Sequence, residues 1–137
     1  MTEKRSSHAC MFDETTTTVH VMGGTNIFDV TLDTTEKWTN GTDYWQQAST
    51  LIKNLRRASA VSSRSKTFVG FISGGWSSGF HLNEIWGLRR LDMIWVKMPE
   101  KLEIIRAGHS MVNIPGLEVL ECQGCSDHTY RHIKIYF

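Results

Sequence analysis

The sequence lacks the features that mark several large classes of protein. Its three cysteines, an odd number, do not make a disulfide framework, so we expect the reducing cytoplasm as the compartment. No stretch approaches the roughly 20 apolar residues of a membrane span, and the N-terminal MTEKRSSHAC has no apolar signal region. The 15 basic and 14 acidic residues nearly balance. We therefore expect neither nucleic acid nor a membrane as partner.

Signatures of common enzyme sites are also missing. The sequence has no phosphate-binding loop and no dinucleotide fingerprint. The serines of residues 76–79 (WSSG) lack the Gly-x-Ser-x-Gly frame of a nucleophile elbow. Residues 40–42 (NGT) match the N-glycosylation frame, which we set aside because no secretory route is indicated. We expect no catalytic residue and no cofactor.

Glycine-terminated apolar runs recur along the chain. Five Trp and six Phe residues indicate a packed core, and 137 residues suit one domain. Residues 19–24 (VHVMGG) and 68–75 (FVGFISGG) end in Gly23-Gly24 and Gly74-Gly75. A third run, 117–125 (LEVLECQGC), carries Gly124, so the first glycines are spaced 51 and 50 residues apart. This spacing predicts a repeat.

Arginine, histidine and tryptophan support the repeat. Eighteen residues before the glycines stand Arg5, Arg56 and Arg106. His8 and His109 share one offset, at which the middle copy has Ser59. Segments 26–38 and 83–95 each place Asn twelve residues before a Trp, and these tryptophans are Trp38 and Trp95.

An Arg-x-x-His-Ser segment, an apolar run ending in Gly-Gly, then Asn-x-aromatic and a Trp, at a period near 50, resembles the Kelch repeat. The resemblance implies an all-β fold: a Kelch-type β-propeller segment, with about three antiparallel four-stranded blades in an incomplete ring. The repeats fall approximately at 5–55, 56–105 and 106–137, the last truncated. The sequence departs from the family at Gly124-Cys125, which replaces Gly-Gly.

Alternation and turn residues predict the strands. In copy one we expect strands at about 8–12, 19–22 and 27–32, with Trp38 opening a fourth. Residues 40–54 suit a short helix or a long connection between blades, and we favour the connection. The expected strands of the other copies are 58–62, 67–73, 83–88 and 94–97 in copy two, and 109–113, 117–122 and 132–137 in copy three.

The number of predicted strands is too small for a closed ring, since propellers have about four to eight blades. Three interpretations remain open. The sequence is a fragment of a longer propeller, or two copies self-associate to complete a ring, or it is a compact all-β relic.

A group of cysteines and histidines near the end has metal-ligand chemistry. Cys122, Cys125, His128 and His132 are all zinc-ligand types. Only two residues separate the Cys pair from the His pair, whereas Cys-Cys-His-His fingers place about a dozen there. The repeat also explains Cys122 as a strand residue and Cys125 as a degenerate glycine. We therefore predict no metal site, with zinc as the less favoured alternative.

Residues that recur in each copy are expected to be structural. This interpretation covers the repeated Arg, His, Gly and Trp positions, because a catalytic group normally occurs once. We expect the histidines to bond backbone within a blade, the arginines to bond across blades, and Trp38 and Trp95 to pack between blades.

Loops that lengthen on a regular scaffold are where function tends to lie. The first candidate is residues 76–82 (WSSGFHL), with Trp76, Phe80 and His81. The second is residues 43–45, with Tyr44 and Trp45. The alternative is that these aromatics are buried against neighbouring blades.

The resemblance implies a protein-binding scaffold, with roles such as substrate recognition in ubiquitin-ligase adaptors or actin-associated assemblies. The rival class is an enzyme of the galactose-oxidase type, but we find no Tyr, His and Cys arrangement for its copper. A truncated product without independent function is the third hypothesis.

Overall fold

The computed structural model describes residues 1–114, 119–123, 125–126, 129–130 and 133–136, with side chains for residues 1–113. The described residues are all-β and form no helix, which confirms the predicted fold class at this level. In the same part of the chain, no helix is long and apolar enough to cross a membrane.

Antiparallel sheets follow one another along the chain. In the first sheet the strands are neighbours in chain order: β1 (Ala9–Asp13), β2 (Thr18–Met22), β3 (Thr35–Thr39) and β4 (Gln46–Gln47). The second has the same order, with a hairpin inserted after its second strand: β5 (Ser59–Ser62), β6 (Phe68–Ser73), the hairpin β7 (Trp76–Ser77) and β8 (Phe80–His81), β9 (Glu84–Arg89) and β10 (Trp95–Lys101). The described part of the third sheet and its hairpin consists of β11 (Ser110–Ile114), β12 (Val119–Gln123), the hairpin β13 (Cys125–Ser126) and β14 (Thr129–Tyr130), and β15 (Ile133–Tyr136).

The first strands of successive sheets lie side by side, with β5 between β1 and β11. The hydroxyl of Ser62 accepts a hydrogen bond from the Phe12 N–H at 3.0 Å. On the other side, the Asn113 amide donates to the Ser62 carbonyl, also at 3.0 Å. The sheets are therefore joined along their first strands, and their faces pack against one another.

The glycine pairs connect each sheet to the next. Gly74 has φ 58° and Gly75 has φ 93°, a left-handed conformation that favours glycine. The N–H of Gly75 donates to the Arg106 carbonyl at 2.7 Å, just before β11. Gly23-Gly24 repeats this arrangement with positive φ at both residues and a 2.7 Å bond to the Leu55 carbonyl, just before β5. The same local geometry thus recurs in two successive sheets.

The strand registers correct the predicted alignment of the copies by one residue. Ala9, Ser59 and Ser110 are equivalent, because each pairs with the residue immediately before its copy's glycine. Four positions earlier stand Arg5, Leu55 and Arg106, so Arg56 lies one residue beyond the shared position. For the same reason His8 and His109 match Ala58 and not Ser59. Copy two has one extra residue between its first strand and its glycine pair, and the register of β6 with β9 shifts in this segment, between Phe68 and Gly70.

The third strand of copy one also differs from the prediction. Residues 27–32 form a loop, and the third strand is β3, which contains Trp38. Val19 pairs with Trp38 as Gly70 pairs with Leu88, so Trp38 matches Leu88. The pairing of Gln46 with Lys37 places Trp45, one residue earlier, at the position of Trp95. Residues 40–54 contain no helix, but they contain the fourth strand, β4, so the segment is not only the connection that we favoured.

The core lies between the faces of the sheets. Between the first two sheets, Met11 and Met22 pack with Leu55, Leu88 and Trp95, all of them buried. A second cluster covers the other face of the second sheet, where Phe71, Ile85 and Leu102 pack with neighbours that include Met111 of β11. Alternate residues of β6, such as Phe71 and Ile72, therefore supply opposite clusters, as strand geometry requires.

Candidate functional site

The loop between the second and third strands carries exposed apolar side chains in each of the first two copies. In copy two this loop holds the hairpin β7–β8, whose tip is Ser78-Gly79. Phe80 is 73% exposed, His81 is exposed, and Trp76 is half-buried. The corresponding loop of copy one contains no hairpin strands and is closed by the bridge between Thr25 and Thr31.

Asn26 shapes the loop of copy one. Its side-chain oxygen accepts hydrogen bonds from the N–H of Phe28 at 3.0 Å and of Val30 at 3.1 Å, as in an Asx turn. The turn leaves Ile27, Phe28 and Val30 exposed by 74%, 78% and 54%. Sequence reasoning missed these three residues because their alternation is typical of a strand. The sequence signal that could have identified this loop is the pair of turn-forming residues Asn26 and Asp29.

Arg56 joins the two loops into one surface. Its guanidinium carbon lies 4.1 Å from the centre of the Trp76 ring, a cation–π geometry. The same guanidinium bonds the Asp29 carboxylate at 3.2 Å. We call residues 25–34, the hairpin Trp76–His81 and Arg56 the loop surface. Arg56 was predicted as a repeat position, and the structure instead places it between two loops.

Two of the five predicted binding residues lie elsewhere. Tyr44 and Trp45 belong to the connection between β3 and β4, which is at the opposite edge of the sheet from the β2–β3 loop because successive antiparallel connections alternate edges. Tyr44 is 62% exposed, whereas Trp45 is half-buried. The loop surface therefore contains Trp76, Phe80 and His81 of the predicted set.

One carboxylate beside the loop surface is paired with two lysines. Glu84, at the start of β9, contacts Lys53 at 2.6 Å and also Lys97. Burial raises the pKa of Glu84, but hydrogen bonds and charge from the two lysines outweigh this and hold the pKa below its ordinary value. The Glu84 carboxylate is therefore ionised at neutral pH and forms structural ion pairs with the two lysines.

Two buried carboxylates elsewhere in the described chain are likewise structural. Burial raises the pKa of Asp13, but hydrogen bonds from Thr16 and Arg90 hold it below the ordinary value. Burial raises the pKa of Glu36 as well, but hydrogen bonds from the N–H groups of residues 2 and 3 and from Arg5 outweigh this and lower it. Among the described residues, no three His, Cys, Asp or Glu side chains are grouped to hold a metal ion.

The repeated arginines and histidines make different contacts in different copies. Arg5 bonds the carbonyls of Gly23 and Thr34 at 2.9 Å, within its own sheet and not across sheets. His8 is exposed, while His109 is buried and lies 2.9 Å from the Ser73 hydroxyl of the preceding sheet. Burial, with a smaller contribution from the Arg106 charge, lowers the pKa of His109 to about 4. His109 is therefore neutral in the folded protein.

The cysteine and histidine group lies largely outside the described residues. The backbone of Cys122 is in β12 and that of Cys125 in β13. Gly124, His128 and His132 are not among the residues that the structure describes. The zinc alternative and the glycine position of copy three stay predictions.

Comparison with models of known protein families and with curated proteins finds no match for this sequence. The Kelch resemblance accordingly depends on the motifs quoted above.

Proposed function

We propose that the chain is a Kelch-like propeller segment that binds a protein partner through its loop surface. The observation that carries the proposal is the group of exposed apolar side chains on two neighbouring loops. Ile27, Phe28 and Phe80 are each more than 70% exposed. Contiguous exposed apolar area with a polar rim is typical of interaction sites.

Arg56 strengthens this proposal. Arginine and tryptophan are enriched among residues that dominate binding energy, and here Arg56 is held over the Trp76 ring. A partner that covers this pair would meet a positioned guanidinium beside apolar side chains. Because the carboxylates of Asp13, Glu36 and Glu84 are each held in ion pairs, we propose binding and not catalysis, in the cytoplasm.

Site-specific crosslinking tests the loop surface. A photoreactive phenylalanine analogue replaces Phe80 in one variant and Leu91 in the control. Leu91 is 90% exposed and lies in the β9–β10 turn, at the opposite edge of the second sheet. We expect a protein crosslinked at 80 and not at 91.

Affinity for that purified protein then decides the role of the side chains. Phe28→Ser combined with Phe80→Ser is expected to weaken the Kd at least tenfold, about 1.4 kcal/mol, whereas Leu91→Ser leaves it unchanged. An equal loss in both variants, or no loss in the double variant, contradicts the proposal.

Self-association is a second candidate, favoured by one apolar row. Phe12, Val19 and Trp38 are cross-strand partners on one face of the first sheet, and Phe12 is 45% exposed. The matching row of the second sheet includes Leu88, which is buried between the sheets. We propose that the row in the first sheet is where a second copy packs to extend the ring.

Sedimentation equilibrium tests self-association. The expected mass is twice 15.6 kDa, and Phe12→Glu should return it to that of one chain. Phe80→Glu, in the loop surface, is the control that should leave the mass unchanged. A single-chain mass at every concentration contradicts this second candidate and leaves the loop-surface proposal intact.

A further inference from the structure

A cavity of about 60 Å³ lies between the first and second sheets. His20, Thr35 and Lys37 line it from β2 and β3, and Leu88 and Trp95 line it from β9 and β10. A volume of roughly 10–15 Å³ on this measure admits one water. The cavity therefore has room for several waters or for an organic molecule of a few non-hydrogen atoms.

Three residues that line the cavity carry buried polar atoms without partners. These atoms are both ring nitrogens of His20, the Thr35 hydroxyl and the Trp95 indole nitrogen, and none has a hydrogen-bond partner among the described residues. The three residues are 1%, 1% and 4% exposed. Buried polar groups are nearly always hydrogen-bonded, so four such atoms around one cavity point to a bound molecule.

The next interface of the same protein shows that the fold does not require this polarity. The registers match His20 with Phe71 and Thr35 with Ile85, on the faces that point to the following sheet. Phe71 and Ile85 are buried in the apolar cluster of that interface. The polar residues are therefore particular to the first interface, and the repeated backbone accepts apolar residues at these positions.

The donors and acceptors of the cavity define the guest. Burial lowers the pKa of His20, Asp13 opposes this shift and Lys37 adds to it, so the ring is neutral with one donor and one acceptor. Thr35 can donate and accept, and Trp95 donates. Asp13 is paired with Arg90 at 3.1 Å. Lys37, half-buried, also lines the cavity as a donor. The donors and acceptors of His20, Thr35 and Trp95 together fit a hydroxyl group, which donates and accepts at the same atom.

We propose that the cavity between the first two sheets binds small uncharged hydroxyl-bearing guests through His20, Thr35 and Trp95. The hydroxyl group is the shared chemistry, and either ordered water or a small polyol can supply it. This site is separate from the loop surface and does not depend on its function.

Nuclear magnetic resonance of the Trp95 indole N–H tests the proposal and separates the two sources. The signal is assigned by comparison with Trp95→Phe in ¹⁵N-labelled protein. Ethylene glycol that shifts this signal saturably identifies an organic guest. A long-lived water cross-relaxation signal at the indole proton that ethylene glycol does not displace identifies water. Either result supports the site, and the absence of both overturns it.

Two variants check that the signal comes from this cavity. His20→Phe with Thr35→Ile copies the residues of the next interface and is expected to abolish both responses. Their persistence in this variant overturns the proposal. Thr39→Val, which changes a hydroxyl bonded to Thr18 at 3.0 Å outside the cavity, is the control that should leave both responses unchanged.

Thr35→Val gives an independent reading because valine has nearly the same shape as threonine. If a guest bonds the hydroxyl, its removal lowers the Tm. If the hydroxyl is unpaired, its removal raises the Tm, because an unsatisfied buried polar group is eliminated. We expect the lower Tm, and a higher Tm contradicts the proposal.

Discussion

Replacing Gly74 with alanine should strongly destabilise the protein, because the added methyl group has no room. A Cβ at this position would lie 2.6 Å from the Arg106 carbonyl oxygen, which is backbone and cannot rotate away. That oxygen also accepts the inter-sheet hydrogen bond from Gly75. Gly79 is the matched control, because its φ is +94° and a Cβ there meets nothing within 4 Å.

The magnitude follows from two contributions. Left-handed backbone costs alanine about 1–2 kcal/mol, and the stiffer unfolded chain offsets roughly 0.4–1 kcal/mol of this. Only this contribution applies to Gly79→Ala, whose expected cost is about 0–1.6 kcal/mol. In Gly74→Ala the displaced Arg106 carbonyl adds about 1–3 kcal/mol for the lost hydrogen bond and its unpaired groups. The expected total is about 3 kcal/mol.

Urea denaturation followed by tryptophan fluorescence measures both variants. We expect Gly74→Ala to lower the free energy of unfolding by about 3 kcal/mol, which corresponds to a Tm decrease of roughly 10 °C for a chain of this size. Equal effects of Gly74→Ala and Gly79→Ala would refute the reasoning, because only the first site has a backbone neighbour.

Two further predictions concern buried charge. Because the pKa of His109 is lowered from its ordinary 6.5 to about 4, the unfolded chain binds this proton first, and stability falls as pH decreases through 6.5 towards 4. Between pH 7 and 5 the free energy of unfolding should fall by roughly 2 kcal/mol. Denaturation curves should show a smaller fall in His109→Gln and the full fall in His8→Gln. Parallel pH profiles for both variants would contradict this. Replacing Arg5 with Met should lower the free energy of unfolding by about 3 kcal/mol. The Arg5 side chain is fully buried and lies 2.9 Å from Glu36, so its removal leaves a buried carboxylate behind. Loss of the exposed pair of Arg64 by the same substitution should cost under about 1 kcal/mol, and thermal melts that rank the two variants in the opposite order would contradict the assignment.

Local requirements made part of the fold predictable. Glycine pairs at a fixed spacing correctly indicated where the backbone turns after β2 and β6, since only glycine adopts that conformation without strain. Three strands of copy two were also predicted closely, because runs such as Phe68–Ser73 and Glu84–Arg89 are apolar and bounded by turn residues. The fourth, β10, continues to Lys101, beyond the predicted end at 97.

Register and surface were not predictable from spacing. One extra residue before Gly70 shifts the whole first strand of copy two, so that Leu55 and not Arg56 is equivalent to Arg5. A count of residues cannot locate such an irregularity, because it is a property of strand pairing. Similarly, the alternation of residues 27–32 suited a strand, and only the hydrogen bonds of Asn26 distinguish a loop.

The candidate site depended on the same distinction. Trp76, Phe80 and His81 were found because the spacing between the glycine pair and Asn83 suggested a long loop in copy two. The strand bounds place a loop of at least this length in copy one as well, at residues 23–34 against 74–83. Phe28 and the position of Arg56 between the loops required coordinates, since nothing in the sequence states which loops are neighbours.

Scalar couplings across hydrogen bonds test the central claim, that one sheet-forming unit recurs with the same connection to the next unit. In deuterated protein, a long-range HNCO experiment detects the acceptor carbonyl of each amide directly. We predict that the Gly24 amide couples to the Leu55 carbonyl and the Gly75 amide to the Arg106 carbonyl, as the two 2.7 Å bonds require. A coupling present at one glycine pair and replaced by a different acceptor at the other would contradict the account.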